Sequence, residues 1–125
     1  MGVAFHPHIE NTSAEWVYEI SGKPLAKHWE KLHKLIRKQG FKSLMDYYVP
    51  SQENLDDWGI DQKPEVKWFN PMEGLALVDA MSRAFEQHRD EFDRPENLEA
   101  DLRAFRIILE RAASEGRRWN LSMSY

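Results

Sequence analysis

His6 and His8 stand two residues apart in Val3-Ala4-Phe5-His6-Pro7-His8-Ile9-Glu10, and in a strand that spacing turns both imidazoles to one face. Such a pair can share a metal ion if a third ligand arrives from elsewhere. A metal site needs three or four ligands and no third is identifiable, so the expectation is an edge strand carrying two solvated histidines. His28 and His33 are separated by about 140° around a helix and cannot chelate one ion together. Asp101 falls near the edge of an apolar helical arc formed by Leu98, Leu102 and Phe105. A carboxylate there must find a partner, and a structural hydrogen bond or ion pair is expected ahead of a general base. Glu73 is placed to close a capping box. The chain has no nucleophile elbow, P-loop, Rossmann glycine pattern or zinc-protease helix. With no cysteine, disulfides, thiolate metal sites and a cysteine nucleophile are excluded. No cofactor is expected.

Charge is unevenly divided. Between residues 23 and 38, Lys23, Lys27, Lys31, Lys34, Arg37 and Lys38 face one acid, Glu30, for a net +5. Lys27, Lys31, Lys34 and Lys38 form a stripe opposite the apolar arc of their helix, the layout of a nucleic-acid surface. The chain carries a net −4 and the stripe has no interleaved aromatics to stack bases, so a solvated face is expected and no nucleic-acid partner. Residues 46–65 hold six carboxylates (Asp46, Glu53, Asp56, Asp57, Asp61, Glu65) and one lysine, net −5. Such a segment suits docking to a basic protein. Asp56, Asp57, Trp58 and Asp61 are the candidate partner-binding residues, with Trp58 either the aromatic anchor or a lid on the core.

The elements that must position these groups are legible in the hydropathy pattern. Val3, Phe5 and Ile9 alternate with polar neighbours, and Pro7 predicts an edge strand or its end. A second short strand is expected over 16–20, where Trp16, Tyr18 and Ile20 share a side. Leu25, Trp29, Leu32 and Ile36 predict a helix over 24–39, entered through Pro24 and closed by Gly40. Residues 44–49 read as a strand or a turn of helix stopped by Pro50, and Ser51 suits the cap of a short helix through Trp58. Asn70-Pro71-Met72-Glu73 predicts a helix start, continued by Leu75, Val78, Met81 and Phe85 and fraying at 88–91. Another helix enters through Asp93-Arg94-Pro95-Glu96 and carries Leu98, Leu102, Phe105, Leu109 and Ala112. Trp119, Leu121, Met123 and Tyr125 alternate as the clearest strand.

With 125 residues, one domain spanning 1–125 is expected, of a size that buries about two thirds of its surface. No apolar run approaches the roughly 18 residues of a membrane span, and the first residues lack the layout of a signal peptide, so a soluble, cytoplasmic protein is expected. The fold expected is α+β: a small, mostly antiparallel sheet including the N- and C-terminal strands, three main helices packed on one face, and one or two short central strands.

Several landmarks together resemble a family of small uncharacterised bacterial proteins with no assigned activity. They are Gly22-Lys23-Pro24-Leu25-Ala26, Leu44-Met45-Asp46-Tyr47-Tyr48, Trp68-Phe69-Asn70-Pro71-Met72-Glu73-Gly74-Leu75, Asp101-Leu102 and Arg118-Trp119-Asn120-Leu121. Relatives look like having Asp where Asn70 stands, an equally good cap. The resemblance implies one domain and a cytoplasmic setting and carries over no catalytic residue. Two functions follow as expectations: a non-enzymatic protein-interaction module, such as an immunity or antitoxin-like inhibitor, or a small enzyme or ligand-binding domain with a cleft near His33 and Asp101.

The lysine stripe yields a direct test. Fluorescence anisotropy near physiological salt is expected to detect no binding to DNA or RNA. A tight complex that weakens steeply with salt, with a slope flattened by replacing Lys27, Lys31, Lys34 and Lys38 with Gln, would reverse that expectation.

Overall fold

The computed structural model describes residues 3–11, 20–49 and 67–124. Strand β1 (Ala4–Ile9) pairs antiparallel with β2 (Trp119–Ser124), Ala4 opposite Ser124 and Ile9 opposite Trp119. Between them in sequence lie helices α1 (Lys23–Ile36), α2 (Pro71–Gln87) and α3 (Pro95–Ser114). The protein is therefore an α+β fold whose sheet joins its N- and C-terminal strands. Among the described residues, single bridges flank β2, Tyr48 with Leu121 and Phe69 with Trp119. Of the stretch expected as a strand over 16–20, residues 16–19 lie outside the described residues, as does the helix expected from Ser51 to Trp58. None of the described helices is long and apolar enough to cross a membrane.

Each helix begins at a proline in its first turn, where the missing N–H costs nothing. Leu25, Leu32 and Ile36 of α1 are fully buried against Leu77, Val78 and Met81 of α2 and Leu98, Leu102, Phe105 and Leu109 of α3, in one apolar cluster. α1 tightens into a 3-10 turn over Arg37–Gln39. Residues Leu44–Tyr47 form another, capped reciprocally by Ser43 and Asp46, so this segment is a turn of helix rather than a strand. Asn70 caps α2 by accepting from the Met72 amide at 2.9 Å. Glu73 does not turn back to complete a capping box; its carboxylate sits against the Tyr47 hydroxyl, and burial, with that carboxylate adding to it, raises the phenol's pKa.

β2 departs from simple alternation, since Trp119, Asn120 and Leu121 are all buried. Asn120 is accommodated because its amide donates to the Lys67 carbonyl at 3.1 Å. Trp119 is fully enclosed: its indole N–H donates to the Asn70 carbonyl at 3.2 Å, Tyr47 stacks on it at 5.0 Å, and Phe105 meets it edge-on at 5.8 Å. The fourth wall is Gly74, where a Cβ would lie 2.7 Å from the indole ring.

Gly74→Ala weighs two effects. In an exposed helix the change gains about 1 kcal/mol of propensity, whereas overpacking a filled core costs about 1–3 kcal/mol. Because the methyl meets a fixed ring and not a flexible side-chain end, net destabilisation is expected, together with an altered near-ultraviolet tryptophan signal. A denaturation midpoint that rises would show that the indole moves aside freely.

Candidate functional site

The first turn of α1 lacks the means to cap itself. Its N-cap is Gly22, which has no side chain to offer, and the residue three further on is the apolar Leu25. Asp101 of α3 supplies both missing bonds. One carboxylate oxygen accepts from the Gly22 amide at 3.2 Å and the other from the Leu25 amide at 3.1 Å. These are the two donors that a capping box satisfies within a single helix, reached here from a residue more than seventy positions away. The Gly22 carbonyl in turn accepts from the Phe5 amide of β1 at 3.0 Å and from Ala26 at 3.1 Å. Only glycine serves at that cap: its φ is +77°, and a Cβ would fall on the Phe5 carbonyl.

Asp101 is 2% exposed. Burial raises its pKa, while the Leu25 and Gly22 amides and nearby His6 pull the other way. His6 is half-buried, and desolvation lowers its pKa despite the attraction of Asp101. Its Nδ1 has no hydrogen-bond partner among the described residues, and neither has Nδ1 of His33. His8 instead lies exposed with its ring 5.3 Å from Trp68. The two strand histidines are thus in different environments, and no three His, Asp or Glu side chains converge to hold a metal among the described residues.

Because Asp101 lies less than two turns into α3, its bond to α1 sets the starts of the two helices side by side. Between them opens a cleft of about 490 Å³ lined by Lys23, Lys27, His28, Asp93, Arg94 and Asn97, with Ser21 and Pro24 completing its wall. A smaller lobe of about 320 Å³ shares Ser21, Pro24 and Asn97 and reaches Ala100 and Asp101. The cleft anticipated near His33 and Asp101 therefore adjoins Asp101, but the histidine that lines it is His28. Burial, with Lys27 beside it, lowers the His28 pKa, and the ring stands edge-on to Phe92 at 5.4 Å. Arg94, the N-cap of α3, has φ +47°, an uncommon conformation for a residue with a Cβ.

The lysine stripe is divided. Lys27 pairs with Asp93 at 3.2 Å, and Lys31 donates to the Glu91 carbonyl at 2.5 Å while lying over the Phe92 ring. These two clamp the turn between α2 and α3, whereas Lys34 and Lys38 are exposed and have no ion pair among the described residues. Asp56, Asp57, Trp58 and Asp61 lie outside the described residues. The cleft residues Lys23, His28, Arg94 and Asn97 were not identified from sequence; the available signal was a helix start with no capping side chain, Gly22-Lys23-Pro24, in a chain that also places Asp101 on an apolar helix face. Comparison with protein-family models, curated proteins and solved structures finds no match.

Asp101→Asn retains the shape but turns an amide N–H₂ toward a backbone N–H, so a loss of about 1–3 kcal/mol is expected in urea denaturation. Asp93→Asn, which breaks a solvent-screened exposed pair, is expected to leave the urea midpoint nearly unchanged. The His6 pKa lies below its ordinary value near 6.5, so the unfolded chain binds more protons there and stability falls as pH drops below that value toward the folded-state pKa. Asp101, shifted upward, contributes with the opposite sign: its share is present below the ordinary carboxylate range and is lost as pH rises through its folded value. Stability measured from pH 7.5 to 5 should decline, and His6→Gln should reduce the slope.

Proposed function

We propose that this protein acts by holding a partner and not by turning over a substrate, as an interaction module of the immunity or antitoxin-like kind with a basic protein as its partner. The observation that carries this reading is the division of charge: residues 46–65 hold a net −5 and residues 23–38 a net +5 within a chain of 125 residues. Segregation on that scale orients and accelerates encounter with a partner of opposite sign. In this reading Asp56, Asp57 and Asp61 steer the approach and Trp58 is the anchor that becomes desolvated. The assignment of Asp101 supports it: both oxygens of the buried carboxylate that a catalyst would draw on are engaged by the amides that begin α1. Kinship with the small bacterial proteins that share the Trp68–Leu75 motif belongs to the same proposal.

The test separates encounter from lifetime. Against a captured native partner, replacing Asp56, Asp57 and Asp61 with Asn should slow association and weaken its dependence on salt. Trp58→Ala should chiefly speed dissociation, by an amount worth about 2 kcal/mol or more. Thermal unfolding of both variants controls for loss of the fold. Unchanged rates in folded variants would remove this segment from the interface.

A further inference from the structure

The reading of residues 46–65 as a docking segment assigns no role to the cleft between α1 and α3, and we propose that this cleft binds a small sugar phosphate, its phosphate in the larger lobe and its hydroxyls in the smaller. Among the described residues, the larger lobe gathers Lys23, Lys27 and Arg94 around one carboxylate, Asp93. Two positive charges are left over, which matches a phosphate monoester, whose charge near pH 7 is about −1.5 to −2. Arg94 brings a planar fork suited to two phosphate oxygens, and the lysines act as point charges. Lys27 is available because its bond to Asp93 is exposed on both sides, at 63% and 67%, so exchanging that carboxylate for a phosphate costs little.

The smaller lobe selects differently. Ser21 and Asn97 provide a hydroxyl and an amide, which both donate and accept, while Asp101 at its end keeps a second anion out. The carboxylate also occupies the amides at the start of α1, so that helix end offers the phosphate nothing and the side chains of the larger lobe determine its place. The start of α3 adds partial positive charge on the same side. Lobes of about 490 and 320 Å³ lie in the range of small-molecule sites. His28 is held against Phe92 with its ring at the wall of the larger lobe, where it senses the charge of the occupant.

Ribose 5-phosphate, ribose and inorganic phosphate are the probes, followed by the ring signals of His28 in nuclear magnetic resonance titrations. Ribose 5-phosphate is expected to saturate the shifts and raise the His28 pKa, ribose to do neither, and inorganic phosphate to bind at least about tenfold more weakly than ribose 5-phosphate. Replacing Lys23 and Arg94 together with Gln should weaken ribose 5-phosphate by at least about tenfold, with the thermal midpoint showing that these exposed positions leave the fold intact. Asn97→Leu should bring ribose 5-phosphate down toward the affinity of inorganic phosphate. Absence of saturation, a double variant that titrates like the parent, or ribose 5-phosphate binding no tighter than inorganic phosphate would each overturn the proposal. None of these outcomes bears on Asp56, Asp57, Trp58 or Asp61, so this test and that of the partner surface fail independently.

Discussion

A single carboxylate joins three elements of this fold. The buried Asp101 of α3 takes the Gly22 and Leu25 amides, fixing where α1 starts, and Gly22 passes the constraint to β1 through its bond from the Phe5 amide. A helix begun by Gly22-Lys23-Pro24-Leu25 has no local cap, and an unpaired amide buried at such a start costs about 1–3 kcal/mol. The bonds from Asp101 remove that cost while requiring that α1 and α3 begin next to each other. The cleft lies beside the same bonds: the smaller lobe reaches Asp101, and the larger is lined by charged residues from the starts of both helices.

A second constraint acts at the opposite end of the sequence. Trp119 is enclosed by Tyr47, Phe105, Gly74 and the Asn70 carbonyl, which ties β2 to α2, α3 and the Leu44–Tyr47 turn. This gives residues 68–75 a structural account. Phe69 bridges Trp119 and meets Tyr47 edge-on at 4.9 Å, Asn70 both caps α2 and receives the indole N–H, Glu73 faces the Tyr47 hydroxyl, and Gly74 leaves space for the ring. Residues 68–75 therefore form a socket for one tryptophan.

The three helices, their prolines and the terminal strand pair were legible because each is announced by local chemistry: a proline in the first turn, an apolar arc at helical spacing, alternation at the strands. What sequence did not show is what depends on long-range geometry. Glu73 satisfied the spacing of a capping box, yet the Tyr47 hydroxyl comes close only in the folded chain. Asn120 counted as the solvent side of an alternating strand, but it is buried and its amide donates to the Lys67 carbonyl, a partner brought there only by the fold. Asp101 was legible as a carboxylate in need of a partner, and its partners were not, because backbone amides leave no mark in a sequence. For the same reason His28, and not His33, lines the cleft beside it.

The cleft combines a fixed floor with an adjustable rim, and the energetics differ accordingly. At the floor, Asp101 is buried and removing its bonds would leave two amides without partners, so this geometry holds with or without an occupant. At the rim, the Lys27–Asp93 pair is exposed on both sides and screened by solvent, so a well-placed charge-assisted hydrogen bond to a ligand outweighs it. An anion entering the larger lobe can therefore displace Asp93 from Lys27 without disturbing the start of either helix. The Lys31 contact with the Glu91 carbonyl and the Phe92 ring holds the preceding turn in place while that exchange occurs. Recognition at the rim is thereby separated from stability at the floor, and a charge altered among Lys23, Lys27 or Arg94 changes what the cleft can hold while the fold stays as Asp101 sets it.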